Sequence, residues 1–258
     1  MTKEFLKKSA TVRLQILAAS ALDKLINIFY KIAPRRGNKE DLVKDVKLMA
    51  QRKIQPVSDN TDKQRTYATN LKKYKVAVEH GFYFEALLID YAMMEDRLRS
   101  FLYHAGALKT RKSHKIDYSP AKDALKKVVE EFKADDESGA LGIESISGKR
   151  KIVCCLLEWT ANTEEKPEKD CYLSIVKDHL EGAVDIGGLL ECLHDISEWC
   201  NYRNEVIHAL LNKNIESLNE ELAEQAMEGM KLARYLDAQV AALKKENVIR
   251  KKLKLPMK

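Results

Sequence analysis

In the last quarter of the chain the run Trp199-Cys-Asn-Tyr-Arg203-Asn204-Glu205-Val206-Ile207-His208 gathers three side chains able to move a phosphoryl group. On a helix, residues four apart share one edge, so Asn204 and His208 lie one turn apart and flank Arg203. Arginine does not readily lose its proton, histidine as a residue type titrates near neutrality, and an amide can orient either. Such a trio is adequate for phosphoryl transfer without a metal. His208 would act as general acid or base, Arg203 would stabilise charge on a phosphorane-like transition state, and Asn204 would orient the site.

Two helices must position these groups, and each has a charge inside an apolar stripe. One carries Ile196, Trp199, Cys200, Arg203, Ile207 and Leu210; the other carries Phe84, Leu88, Tyr91, Glu95, Leu98 and Leu102. A buried charge without a partner costs several kcal/mol, roughly 3–5 when one member of a pair is removed. The economical arrangement packs the two helices face to face, so that Glu95 meets and holds Arg203. Other spacings compete. Arg99 and His104 repeat the interval of four intervening residues, and Arg97 precedes the same histidine by seven positions. Arg99 also suits an i, i+4 partner of Glu95, and His104 a helix C-terminus; His194 reads as a bystander. On sequence alone, the choice between Arg203/His208 and Arg99/His104 stays open.

The wider pattern is helical throughout. An amphipathic helix is predicted over 3–33, ended by Pro34 and Gly37, and a shorter one from an Asn38 cap to about Arg52. Residues 54–61 read as a linker. Helices follow over 62–80, 82–105, 119–133, 151–161, 171–180, 186–211 and 215–245, with a loop over 134–150. The expected architecture is all-α: an N-terminal helical extension (1–58), a main helical domain (62–245) and a basic C-terminal tail (246–258).

Composition and charge narrow the function classes. With 10 Gly and 5 Pro among 258 residues and 33% charged residues, long helices are favoured over a turn-rich sandwich. No run approaches the roughly 20 apolar residues of a bilayer span, so no membrane partner is expected. The five cysteines are odd in number, lack C-x-x-C spacing and include the adjacent pair Cys154 and Cys155. They read as reduced, buried thiols of a cytoplasmic protein and imply no metal. Residues 1–75 carry eighteen Lys/Arg against seven Asp/Glu, and 244–258 carry seven against one, so the basic excess lies in two arms around an acidic centre. Such arms attract phosphate-rich partners. Phosphate-binding loops, dinucleotide fingerprints, nucleophile elbows and H-E-x-x-H motifs are absent, and no cofactor is implied.

The arginine–polar–three–histidine spacing of Arg203, Asn204 and His208 on a late helix, with GFYFEALLIDYAMMEDRLRSFL on an early one, resembles the HEPN superfamily over roughly 65–245. The resemblance implies a HEPN-like helical bundle and a metal-independent endoribonuclease of a defence, abortive-infection or toxin system. In such a protein the ribose 2′-hydroxyl attacks the adjacent phosphate, with the motif at the shared cleft of a homodimer. It also implies RNA as substrate and a protein or RNA antitoxin as a further partner. The Arg203-Asn204-His208 set is preferred over Arg99/His104 because it matches that late position. The alternative is a catalytically silent helical protein that binds RNA or another protein through its basic arms.

Overall fold

Positive-φ glycines stop the first two helices of the domain. In a computed structural model, residues 61–132, 141–163, 171–209 and 219–257 are described. Helix α1 spans Thr61–Glu79 and α2 spans Tyr83–His104. Gly81 (φ 77°) and Gly106 (φ 78°) follow them in the left-handed region. There the Gly106 N–H donates to the Tyr103 carbonyl at 3.1 Å and the Ala107 N–H to Leu102 at 2.9 Å, satisfying carbonyls that the helix end orphans. Gly106 is also required for space, because a Cβ there would come within 2.6 Å of Leu253 Cδ1.

Helices α3 (Ser119–Glu131), α4 (Ile146–Asn162), α5 (Tyr172–Ala183), α6 (Ile186–Ala209) and α7 (Asn219–Lys244) follow, then a 3-10 turn (Lys245–Asn247) and the short α8 (Val248–Lys252). No strand occurs among the described residues, so this part of the chain is all-α. Helix α2 is the spine. It packs along α7 and against α1 and α4, while α6 packs on α7 and α4, and α5 on α3, α7 and α8. None of these helices is long and apolar enough to cross a membrane. The expected extension over 1–58 lies outside the described residues.

The structure moves one helix start. Helix α4 begins at Ile146, five residues before the predicted 151, because Ser145 caps it: its Oγ accepts the Gly148 N–H at 3.0 Å. Of the basic tail expected over 246–258, residues 246–257 are described, and they turn back onto the domain. Ile249 and Leu255 are buried. Arg250 is wholly buried, donating to the carbonyls of Tyr103 (2.7 Å), Leu108 (2.8 Å), Lys109 (2.8 Å) and Pro256 (3.1 Å from Nε). Its guanidinium lies 3.6 Å from the centre of the Tyr103 ring.

A buried polar network ties α1, α2 and α7 together. Arg97 is 0% exposed, and its Nη1 donates to Asp237 at 2.8 Å while Nη2 donates to Asp96 at 2.6 Å. Tyr67 accepts from Arg97 Nη2 at 2.8 Å and donates to Asp96 at 2.5 Å, and Lys63 reaches the other Asp96 oxygen at 2.5 Å. Burial alone would push the Asp96 carboxyl up, but Lys63 and Arg97 together hold it below the usual carboxylate range. Asp237 faces one of those cations and the Asp96 charge as well, so burial prevails and its carboxyl is raised. Replacing Arg97 with Ala strands two largely buried carboxylates and is expected to cost about 3–5 kcal/mol. At about 2–4 °C per kcal/mol for a domain of this size, the melting temperature should fall by roughly 10 °C. A thermal melt within about 2 °C of wild type would contradict this role for Arg97.

Candidate functional site

Trp199 anchors the helix that carries the trio. Its Nε1 donates to the Gln225 carbonyl at 2.8 Å, and its ring lies against the backbone of α7 at Gly229. A Cβ at position 229 would sit 2.8 Å from the ring and 2.9 Å from Asp90 Oδ2, so only glycine lets α2, α6 and α7 meet here. One turn further along α6, Arg203 is half-buried, with its guanidinium carbon 4.1 Å from the centre of the Tyr91 ring of α2. Its Nη1 donates to Asn204 Oδ1 at 2.9 Å. Asn204 and His208 are exposed, and His208 lies in the last turn of α6.

Glu95 does not meet Arg203. Its Oε1 instead accepts from Lys149 Nζ of α4 at 2.8 Å, and that lysine also donates to the carbonyls of Glu144 (3.3 Å) and Ser145 (3.2 Å). Lys149 is 0% exposed and has the greater need of a carboxylate, since Arg203 reaches solvent and has an aromatic face to rest on. Behind this lies a rotation of α2. Leu88 is 39% exposed and Phe84, Tyr91 and Glu95 are half-buried, whereas Leu87, Asp90, Met94, Arg97, Leu98 and Phe101 face the core. Two polar residues on that face, Asp90 and Arg97, disguise it in the sequence. Glu95 still acts near the site. Burial first and the Glu95 carboxylate second push the Tyr91 phenol above its ordinary range, against the opposing pull of Arg203. Tyr91 therefore feels the charges of both residues expected to pair, and touches Arg203.

Sequence reasoning missed Tyr91 and Lys149. Tyr91 lies one turn from Glu95 in the same stripe, a signal that was available; Lys149 lies in a stretch whose glycines mark it as loop. Burial pushes the neighbouring Cys200 thiol up to about 11, although Arg203 and Arg150 pull it down, and this disfavours its thiolate. The competing residues have structural positions. Arg99 Nη1 donates to the Ser113 carbonyl at 2.8 Å. His104 is buried edge-on against Tyr103, with ring centres 5.0 Å apart. Arg97 belongs to the core ion network, and His194 lies 3.4 Å from Glu198 on an exposed face of α6. His104 of the rival pair is thus not presented to solvent, whereas Arg203, Asn204 and His208 are reachable along one helix edge. Among the described residues no group of three or more His, Cys, Asp or Glu side chains is placed to hold a metal ion.

No family model, curated protein or solved structure matches this chain, so the HEPN resemblance rests on its own residues.

Asp90, beside Gly229 and Trp199, is a wholly buried carboxyl whose oxygens accept no hydrogen bond. Burial raises it well above the usual carboxylate value of 3.8, with Arg234 opposing. Folded Asp90 keeps its proton where the unfolded chain loses it, so the fold loses stability as pH rises from 3.8 toward the raised value. Asp90→Asn removes that loss. Its unfolding free energy is expected to exceed that of wild type at neutral pH and to depend less on pH above about 4. A variant less stable than wild type at neutral pH, in urea melts across that range, would refute a neutral Asp90.

Proposed function

We propose that this chain is a metal-independent endoribonuclease of the defence or toxin kind, acting at Arg203, Asn204 and His208. The observation that carries the reading is the anchored guanidinium. Arg203 is steadied by Tyr91 beneath it and by Asn204 beside it, with the imidazole of His208 one turn away on the exposed edge. A fixed cation next to a titratable ring suits a phosphate that gains charge as it reacts. The ribose 2′-hydroxyl would lose its proton to a base and attack the adjacent phosphorus. The 5′-oxygen would leave with a proton from an acid, giving a 2′,3′-cyclic phosphate and a 5′-hydroxyl.

Each chain supplies one histidine at this site, and the reaction needs both a base and an acid. A twofold homodimer that opposes the His208 edges of two chains would supply both, because a C2 interface places the same patch opposite itself. Glu95 then acts at a distance, through Lys149 and Tyr91, rather than by holding Arg203. A protein or RNA antitoxin would cover the same edge. The second reading, a silent RNA- or protein-binding bundle, is favoured by the exposed acids Asp195, Glu198 and Glu205 on the same helix, which repel a polyanion.

His208→Ala is expected to lower RNA cleavage in EDTA by about 10²–10⁴-fold, the usual worth of a general acid or base. Its melting temperature should hold, since the side chain is exposed. Full activity in the variant would remove His208 from the reaction, and no activity in wild type would leave the silent reading standing. Light scattering is expected to show a dimer at concentrations where RNA is cut; a cleaving monomer would contradict the shared cleft.

A further inference from the structure

The Arg250 clasp joins two basic segments that lie far apart in sequence. Its guanidinium reaches the carbonyls of Leu108 and Lys109, which open the loop between α2 and α3, and that of Pro256 beyond α8. Arg111 of the same loop lies 4.8 Å from the centre of the Tyr103 ring that Arg250 also approaches. Around this clasp Lys109, Lys112 and Lys115 are exposed on the loop, and Lys251, Lys252 and Lys254 at the C-terminal end. None of the six is in an ion pair with another described residue. The loop's own acid, Asp117, is occupied in shaping it, accepting from Lys109 N at 2.6 Å and Ser113 Oγ at 2.7 Å.

We propose that these two clasped segments form a docking surface for the sugar-phosphate backbone of RNA. The choice of RNA rests on the proposed activity; the surface itself rests on the geometry of the clasp. It lies about 18 Å along α2 from Tyr91, taking 1.5 Å per residue over the twelve residues to Tyr103. It would supply the positive charge that the acidic edge of α6 lacks. Two other kinds of polyanionic partner fit less well. Protein interfaces bury an apolar core from which lysine is depleted, yet the exposed side chains here are lysines. A membrane would need an amphipathic helix with an outward apolar face, but α8 is five residues long and Ile249 and Leu255 point inward. Tyr103 is buried beneath the clasp and offers no face for base stacking, so recognition is of backbone charge and not of base sequence.

The test uses the full chain and a fluorescent 20-nucleotide uridine strand with 2′-O-methyl riboses, which binds but lacks the attacking hydroxyl. Lys112→Gln, Lys251→Gln and Lys252→Gln together are expected to weaken binding at least tenfold. They should lower the slope of log affinity against log salt by about 2, at roughly 0.7 per lost phosphate contact on a single strand. A second triple variant, Lys109→Gln, Lys115→Gln and Lys254→Gln, should behave alike, and both should melt as wild type because all six side chains are exposed. A deoxythymidine strand of equal length should bind within a few-fold. Unchanged affinity and slope in both variants overturn the proposal, as does tighter lysine-dependent binding of poly-glutamate or of phosphatidylserine vesicles. Failure of the catalytic reading looks different, with lysine-dependent binding intact and RNA left uncut by wild type.

Discussion

A guanidinium that cannot lose its charge and has no access to water must be neutralised on every side, and Arg97 sets that constraint on this fold. Its partners come from three helices: Tyr67 of α1, Asp96 beside it on α2, and Asp237 of α7. Only one relative rotation of those helices delivers all three, and that rotation fixes which face of α2 is inside. Leu87, Met94, Leu98 and Phe101 are then buried on the spine, and Leu88 and Tyr91 turn outward. Tyr91 becomes available to Arg203 because Arg97 holds the helix in this orientation. The geometry of the candidate site is thus a consequence of a charge buried about two turns away.

The same device recurs at the helix ends. Lys149 reaches carbonyls ahead of α4 and pairs with Glu95; Lys177 donates to the carbonyls of Thr160 and Thr163 at the end of α4; Arg250 collects those beyond α2. Each is a long cation whose head satisfies acceptors that a helix end or a loop leaves unpaired, which explains how so many charges lie in the interior. The basic residues therefore divide into two groups. Arg97, Lys149, Lys177 and Arg250 are internal braces, while the lysines around the Arg250 clasp face solvent. Net charge alone does not distinguish them.

The all-α class and most helix limits were legible because their signals are local. Apolar periodicity marked the helices, and Gly81 and Gly106 ended two of them where the sequence places the stops. The start of α4 was hidden because Gly142 and Gly148 argue for a loop while the single Ser145 cap argues against it. The facing of α2 was misread for a physical reason. Two overlapping stripes share Leu98 and Leu102, and the one that is buried contains Asp90, a carboxyl raised by its burial, and Arg97, whose charge is tolerable only through contacts across the fold. For the same reason the partner of Glu95 could not be read in advance: Lys149 is 54 residues away and signals nothing locally. The trio Arg203-Asn204-His208 was visible as spacing, and the structure adds Tyr91 as the support for its arginine.

The chemistry proposed at the Arg203 edge is cleavage of RNA through the strand's own 2′-hydroxyl. The most direct measurement compares cleavage, in EDTA, of an RNA strand and the same strand with 2′-O-methyl riboses, with mass analysis of the ends. Fragments ending in 2′,3′-cyclic phosphate and 5′-hydroxyl are expected from the first strand, and none from the second although it binds. Cleavage of the methylated strand, or products ending in 5′-phosphate, would contradict that chemistry.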